Sequence, residues 1–226
     1  MNRIDGFKSL SNIFNQNGYK LFLVGGAVRD YLLHNDFSDM DVTSDATPED
    51  IKKFISDGLD LTFEKFGSIK INYVGYIFEL TTLRKESNYI DNRHPGKIEY
   101  TKSVIEDSKR RDFTINALYM DSDGKIYDYV DGEKDIHAKI IRMIGDSDAR
   151  IKEDPLRIIR AIRFSLDLKF DFEPSLEKSL LDNSCLINSL NIQKVLSEVK
   201  KIKSSKEETM IKFKKFNISY LLDMIK

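Results

Sequence analysis

Cysteine occurs once in the 226 residues, at Cys185. A single thiol excludes an intramolecular disulfide and any zinc site built on a cysteine cluster, and it fits a reducing setting. Net charge is nearly absent too: 36 Lys and Arg face 37 Asp and Glu, leaving −1 at pH 7 with His neutral. Such balance carries no global signal for nucleic acid, and a hydrophobic fraction of 41% argues against a disordered chain. Long apolar runs are missing. The opening MNRIDGFKSL lacks the core of a signal peptide, and the longest apolar stretch, around residues 21–28, contains two glycines and falls far short of a membrane span. Internal repeats and low-complexity stretches are absent. The expectation is a cytoplasmic protein with no membrane association.

Hydrophobic periodicity organises what remains. Ile4, Phe7, Leu10, Ile13 and Phe14 are spaced for an amphipathic helix over residues 4–16, ended by Asn17-Gly18. Residues 21–24 read as a buried strand, Gly25-Gly26 as a turn, and the following residues through Leu33 as a helix. Residues 40–43 form another strand, and Thr47-Pro48-Glu49 opens a helix with Thr47 as its cap. Strands are expected at 59–63, 69–74 and 76–83, a polar mobile loop at 84–96, and a hairpin of 114–120 with 125–130 around Asp121–Gly124. Beyond Ile140 the pattern turns helical, at 155–168, 174–183, 192–203, 206–215 and 219–225. Residues 193–226 hold nine lysines and four acids, a local charge of +5. The fold class expected is α+β: a head of mixed sheet and helices over residues 1–140, then an all-helical, basic neck over 141–226.

Three clusters carry chemistry. In the first, Leu23-Val24-Gly25-Gly26-Ala27-Val28-Arg29-Asp30 places a Gly-Gly turn between strand and helix, which aims backbone N–H groups at a phosphate, with Arg29 adding a cation. About a dozen residues later Asp39-Met40-Asp41 sets two carboxylates on one face of a strand. Adjacent carboxylates repel unless a cation lies between them, and magnesium accepts such hard oxygen ligands while keeping positions open for substrate phosphate. The second cluster, Arg110-Arg111-Asp112-Phe113-Thr114-Ile115-Asn116-Ala117, reads as two arginines leading into a strand with alternating polar positions. The third, Glu153-Asp154-Pro155-Leu156-Arg157, starts a helix with Asp154 as cap and continues through Arg160 and Arg163. Taken singly, each cluster also suits a bland role: solvated aspartates, a salt-bridged strand start, a capped helix with a basic face.

Together, in this order and spacing, they resemble the bacterial-type (class II) tRNA CCA-adding enzyme and poly(A) polymerase family of the polymerase-β nucleotidyltransferase superfamily, over about residues 18–170. The resemblance implies a polymerase-β-like head that adds C and A to the 3′ end of tRNA from CTP and ATP, releasing pyrophosphate, with two Mg²⁺ ions. It implies that Asp39 and Asp41 bind the metals, with Glu79 as a candidate third catalytic carboxylate or a brace for Arg29 or Arg111. Gly25, Gly26 and Arg29 then contact the nucleotide's phosphates or sugar, and Arg111, Asp154, Arg157, Arg160 and Arg163 form the nucleotide pocket. Residues 84–96, with Arg84, Tyr89, Asp91 and Arg93, resemble the family's flexible loop, which helps the site switch from C to A.

Cytosine and adenine each present an exocyclic amine donor beside a ring-nitrogen acceptor. A carboxylate next to a guanidinium, Asp154 with Arg157, complements both. Uracil and guanine reverse the order and leave groups facing like partners, at roughly 1–3 kcal/mol per contact. Addition of CC only, of A only, or of a poly(A) tail uses the same motifs, and a non-catalytic RNA-binding protein is the alternative of another class. Gln193 stands where the family's neck motif carries an arginine, and the family's long helical body and tail are expected to be missing. The expectation is that Lys200, Lys201 and Lys203 contact tRNA, or that a second copy or another chain supplies the missing grip.

Overall fold

The strand Leu21–Val24 is buried along its whole length, as expected of a strand with neighbours on both sides. It is taken from a computed structural model that describes residues 2–37, 39–89 and 95–224, the side chains of 86–97 excepted. The described elements, in chain order, are α1 (Arg3–Gln16), β1 (Leu21–Val24), α2 (Gly26–Leu32), β2 (Met40–Ser44), α3 (Pro48–Phe54), β3 (Leu59–Asp60), β4 (Ser68–Tyr73), β5 (Tyr76–Thr82), β6 (Arg84–Tyr89), β7 (Pro95–Tyr100), α4 (Val104–Arg110), β8 (Tyr119–Met120), β9 (Ile126–Tyr127), α5 (Gly132–Ala138), β10 (Ile140–Ile141), α6 (Ser147–Glu153), α7 (Leu156–Leu168), β11 (Asp171–Phe172), α8 (Pro174–Asn183), α9 (Ile192–Val199), α10 (Lys206–Lys215) and α11 (Tyr220–Asp223).

The chain divides into two compact units, residues 1–87 with 97–136, and residues 88–96 with 137–226. In the first, a seven-stranded sheet runs in the order β3-β4-β5-β2-β1-β8-β9. Its β2–β5 pair is parallel, and the other pairs are antiparallel. Phe7, Leu10 and Phe14 of α1 are fully buried at helical spacing. Capping boxes close the starts of two helices, Asn2 with Asp5 on α1 and Thr47 with Asp50 on α3. Gly132 begins α5 against the Thr114 carbonyl, where an added Cβ would lie 2.3 Å from the oxygen, so only glycine fits.

In the second unit α6 packs on α8, and α7 packs on α9 and α10. Ile158, Ile159, Ala161 and Ile162 of α7 are fully buried there. β10 and β11 add a two-stranded parallel ladder, so the unit is helical but not all-helical.

Further expectations need correction: the strand expected at 59–63 ends at Asp60, and the helix expected at 192–203 ends at Val199. Residues 84–89 and 95–100 are strands paired with each other rather than a loop throughout. Residues Thr114–Asn116 form a 3₁₀ turn, not the start of a strand, and only Tyr119–Met120 pairs with Ile126–Tyr127 in the expected hairpin. The 3₁₀ turn has a tertiary cause. Thr114 donates to Asp135 (2.7 Å) and Asn116 accepts from Arg29 (2.6 Å), so alternate polar residues turn inward where a strand would expose them.

Candidate nucleotidyltransferase site

β1 and β2 are antiparallel, with Leu23 opposite Val42. The end of β1 that leads into Gly25 and Gly26 therefore lies at the same sheet edge as the end of β2 that carries Asp39 and Asp41. Asp39, exposed, immediately precedes β2, and Asp41 sits half-buried on it.

Gly25 caps α2 at φ 72°, ψ −131°, a conformation that disfavours any side chain. Its N–H donates to the Leu118 carbonyl at 3.3 Å. Gly26 has no such need: its φ is not positive, and a Cβ there would meet only the Arg29 Nη2, at an ordinary 3.5 Å. That distance also places the Arg29 guanidinium beside the turn. Arg29 is buried; its Nε and Nη2 donate to the Asp30 carboxylate at 2.9 and 3.0 Å, and its Nη1 donates to Asn116 Oδ1.

Glu79 lies opposite Asp41 on β5, but its carboxylate pairs with Lys70 of β4 at 2.5 Å. It braces neither Arg29 nor Arg111. Among the described residues no group of three or more His, Cys, Asp or Glu is arranged to hold a metal ion, so a three-carboxylate cluster of Asp39, Asp41 and Glu79 is not assembled.

Arg111 belongs to a buried ionic node. The fully buried Asp107 carboxylate accepts from Arg110 Nε (2.7 Å), Arg111 Nη2 (3.0 Å), the Tyr119 hydroxyl (2.7 Å) and the Arg84 amide (3.1 Å). Arg111 Nε also donates to the Tyr119 hydroxyl at 2.8 Å, with the guanidinium 5.0 Å from that ring's centre. Burial pushes the Asp107 carboxyl up, but Arg111, Arg110 and the Tyr119 hydroxyl outweigh it and hold its pKa at about 2. Burial pushes the Tyr119 hydroxyl well above its ordinary range, so it remains a donor. Arg84 is tied into the same region by its Nη1 bond to the Phe66 carbonyl (2.6 Å). The Tyr89 side chain, Asp91 and Arg93 lie outside the described residues.

The second unit holds the other expected residues. Asp154 ends α6 and links it to α7, whose N-cap is Pro155 rather than Asp154, although Asp154 Oδ1 does accept the Leu156 N–H at 3.1 Å. Arg157 is buried, with Nη1 donating to the Arg150 carbonyl (2.5 Å) and to Glu153 Oε2 (3.2 Å). Arg160 and Arg163 both face Glu198 Oε2, at 4.0 and 3.2 Å, and Lys201 bonds its Oε1 at 2.6 Å. Burial raises the Glu198 pKa, but these three cations bring it below the usual range. Lys200 and Lys203 are exposed, whereas Lys201 is engaged by Glu198.

Sequence reasoning passed over Asp30, Asp107, Asn116, Glu153 and Glu198 as partners of the arginines. Two were legible in spacing: Asp107 precedes Arg110 and Arg111 by three and four residues, and Glu153 precedes Arg157 by four. Glu198 reaches Arg163 from another helix, and nothing local announces it.

A mixed sheet with Gly-Gly and paired aspartates at one edge, followed by a helical unit, is the architecture of a poly A polymerase-type head with the helices that follow it. The model of the poly A polymerase head domain matches residues 21–142, and the chain belongs to that family. It is similar to the CCA-adding enzyme of Lactobacillus johnsonii, with 40% identity over 188 residues, 83% of this chain and 47% of that protein. It is similar to the crystal structure of the Bacillus stearothermophilus CCA-adding enzyme in complex with CTP, with TM-score 0.86, 29% identity, and coverage of 96% of this chain and 53% of that one. It also resembles a tRNA nucleotidyltransferase complexed with a primer tRNA and an incoming ATP analog, with TM-score 0.76, 28% identity, and coverage of 96% and 62%. The chain spans about half the length of the curated relatives it matches.

Two stability predictions follow from this geometry. Gly25→Ala lowers unfolding free energy by about 1–3 kcal/mol through backbone strain, whereas Gly26→Ala leaves it unchanged or raises it by up to about 1 kcal/mol; denaturant titration of both variants separates them. Asp107→Asn costs about 2–3 kcal/mol at neutral pH, because it leaves the Arg110 and Arg111 guanidiniums without their buried anion. The folded pKa lies below the ordinary 3.8, so the stability contributed by the Asp107 charge is complete above that value. It is lost as pH falls toward about 2. The gap between wild type and variant should close over that window in acid titrations followed by circular dichroism.

Proposed function

We propose that this chain is a template-independent nucleotidyltransferase that adds C and A to the 3′ end of tRNA from CTP and ATP, releasing pyrophosphate. The observation that carries the reading is the placement of Asp39 and Asp41 at the sheet edge where Gly25, Gly26 and the clamped Arg29 lie. The solved relatives bound to CTP, and to primer tRNA with an ATP analog, support the substrate classes. On this reading residues 1–140 are the catalytic head, and residues 141–226 are the neck that selects the nucleotide and contacts RNA.

The donor set fits magnesium, which binds through one or two carboxylates and leaves the rest of its shell to water and substrate phosphate. When bound, the metal supplies charge neutralisation at the leaving pyrophosphate and a lowered pKa for the attacking RNA hydroxyl. Asp39 and Asp41 hold it. Glu79, occupied by Lys70, shapes the field beside them and is not needed as a ligand. Arg29, locked by Asp30 and Asn116, meets the phosphates over Gly26, where the missing side chain leaves room. Asp154 and Arg157 read the base by the donor–acceptor order that cytosine and adenine share. Arg160 and Arg163 complete the base-reading group of the second unit, and Arg111 is held within the first unit by the Asp107 node. Lys200 and Lys203 contact RNA phosphates, and the cytoplasm is the compartment for this work. Among the described residues no helix is long and apolar enough to cross a membrane.

Incubation with tRNA lacking its 3′ end, with each nucleotide alone and then together, tests the reading. The expected products end in C, C and A; a lengthening run of A would install poly(A) synthesis instead, and no extension would remove the catalytic reading. Asp39→Ala and Asp41→Ala should each abolish extension in the presence of Mg²⁺ while the melting transition stays cooperative. Turnover near wild type in either variant would remove the metal assignment. Asp154→Ala and Arg157→Ala should each lower C and A addition and narrow the gap to U and G, read as kcat/KM for the four nucleotides. Unchanged selectivity in both would place base recognition elsewhere.

A further inference from the structure

We infer that Arg150 is a positioning residue for nucleotide selection, acting on Arg157 through Glu153. The inference rests on the reading that Asp154 and Arg157 recognise the base. Arg150 and Glu153 are one turn apart on α6, and Arg150 Nη1 donates to Glu153 Oε2 at 2.5 Å. The same oxygen accepts from Arg157 Nη1 at 3.2 Å. One carboxylate oxygen thus ties two guanidiniums across the break at Asp154. The main chain of Arg150 adds a second tether, its carbonyl accepting from the same Arg157 Nη1.

Charge explains why the arrangement needs Arg150. Glu153 is partly exposed, with a side-chain accessibility of 35%, against 13% for Arg150 and 6% for Arg157. Held by Arg157 alone, a partly solvated glutamate samples other rotamers and releases the guanidinium it should aim. A buried cation and a largely covered one on the same oxygen remove that freedom, and Arg157 is left with a single direction. A base-reading group loses discrimination when its angle is loose, because a guanidinium that can swing accommodates both donor–acceptor orders. Arg150 touches neither substrate nor the reacting atoms on this account; it sets the direction of the residue that does.

The test compares kcat/KM for CTP against UTP and for ATP against GTP on tRNA lacking its 3′ end, using the full chain. Arg150→Ala keeps the backbone tether to Arg157 and should reduce both ratios about ten- to a hundredfold. Arg150→Lys keeps one charged bond to Glu153 and should recover part of the loss. Glu153→Gln should reproduce the loss, and adding Arg150→Ala to it should cost little more, because one effect runs through the other. Unchanged ratios in Arg150→Ala, equal losses for all four nucleotides, or losses that multiply in the double variant would each overturn the positioning role. Should Arg150→Ala fail to fold, Arg150→Lys and Glu153→Gln decide: full wild-type selectivity in both overturns it. If the unmutated chain takes up all four nucleotides equally, or none, base reading by Asp154 and Arg157 fails first, and the inference falls with it.

Discussion

A guanidinium drawn in from solvent is fixed most firmly by a carboxylate, and this fold sets one against the arginines of each motif. Asp30 holds Arg29, Asp107 holds Arg110 and Arg111, Glu153 holds Arg150 and Arg157, and Glu198 faces Arg160 and Arg163. Removing either partner from such a node strands a charge at low dielectric, which costs far more than the intact pair gains. A chain with 36 basic and 37 acidic residues can be nearly neutral overall and still present directed cations, because four of its acids aim them.

What was legible in the sequence depended on whether local physics was sufficient. The Thr47 capping box, the apolar spacing of α1 and the Pro174 start of α8 are each decided within a few residues, and they stand where expected. The helices α4 and α6 escaped notice because their inward faces are short and partly polar: α4 buries Asp107 and Ser108, and α6 buries Ser147 and Ile151. No apolar stripe marks such a helix, since burial is stabilised by ion pairs and hydrogen bonds instead. The strands at 84–89 and 95–100 were hidden for a related reason. RKESNY offers no hydrophobic face, so the period of two that betrays a strand is missing.

The candidate site was legible in its residue types more than in its connections. Asp39, Asp41, Gly25 and Gly26 follow from the order of strand, turn and strand, and antiparallel pairing of β1 with β2 delivers them to one edge. Glu79 shows the limit. Its register opposite Asp41 is right for a third carboxylate, but Lys70 on the next strand pairs with it, and a cross-strand partner cannot be foreseen without the register of all three strands. The polar residues of the Thr114–Asn116 turn are likewise explained only by Asp135 and Arg29, which the fold brings to them.

Reading a base with side chains alone sets a stricter demand than binding a phosphate. A phosphate accepts a cation from many directions, whereas a base edge discriminates only if donor and acceptor are fixed relative to each other. An arginine carries about 2 kcal/mol of rotamer entropy, and a reader that had to freeze this on binding would lose it for every nucleotide, correct or not. Fixing the side chain during folding shifts that loss away from the encounter, so the binding energy that remains reports on the match itself. On the proposed function, the two tethers on Arg157, a shared carboxylate and a main-chain carbonyl, have this effect within the second unit. Arg29 is held as firmly by Asp30 and Asn116, yet it stands beside a glycine turn that offers no base edge to read. On the proposed function the same clamp serves different ends: it concentrates charge at the turn and confers selectivity at the start of α7.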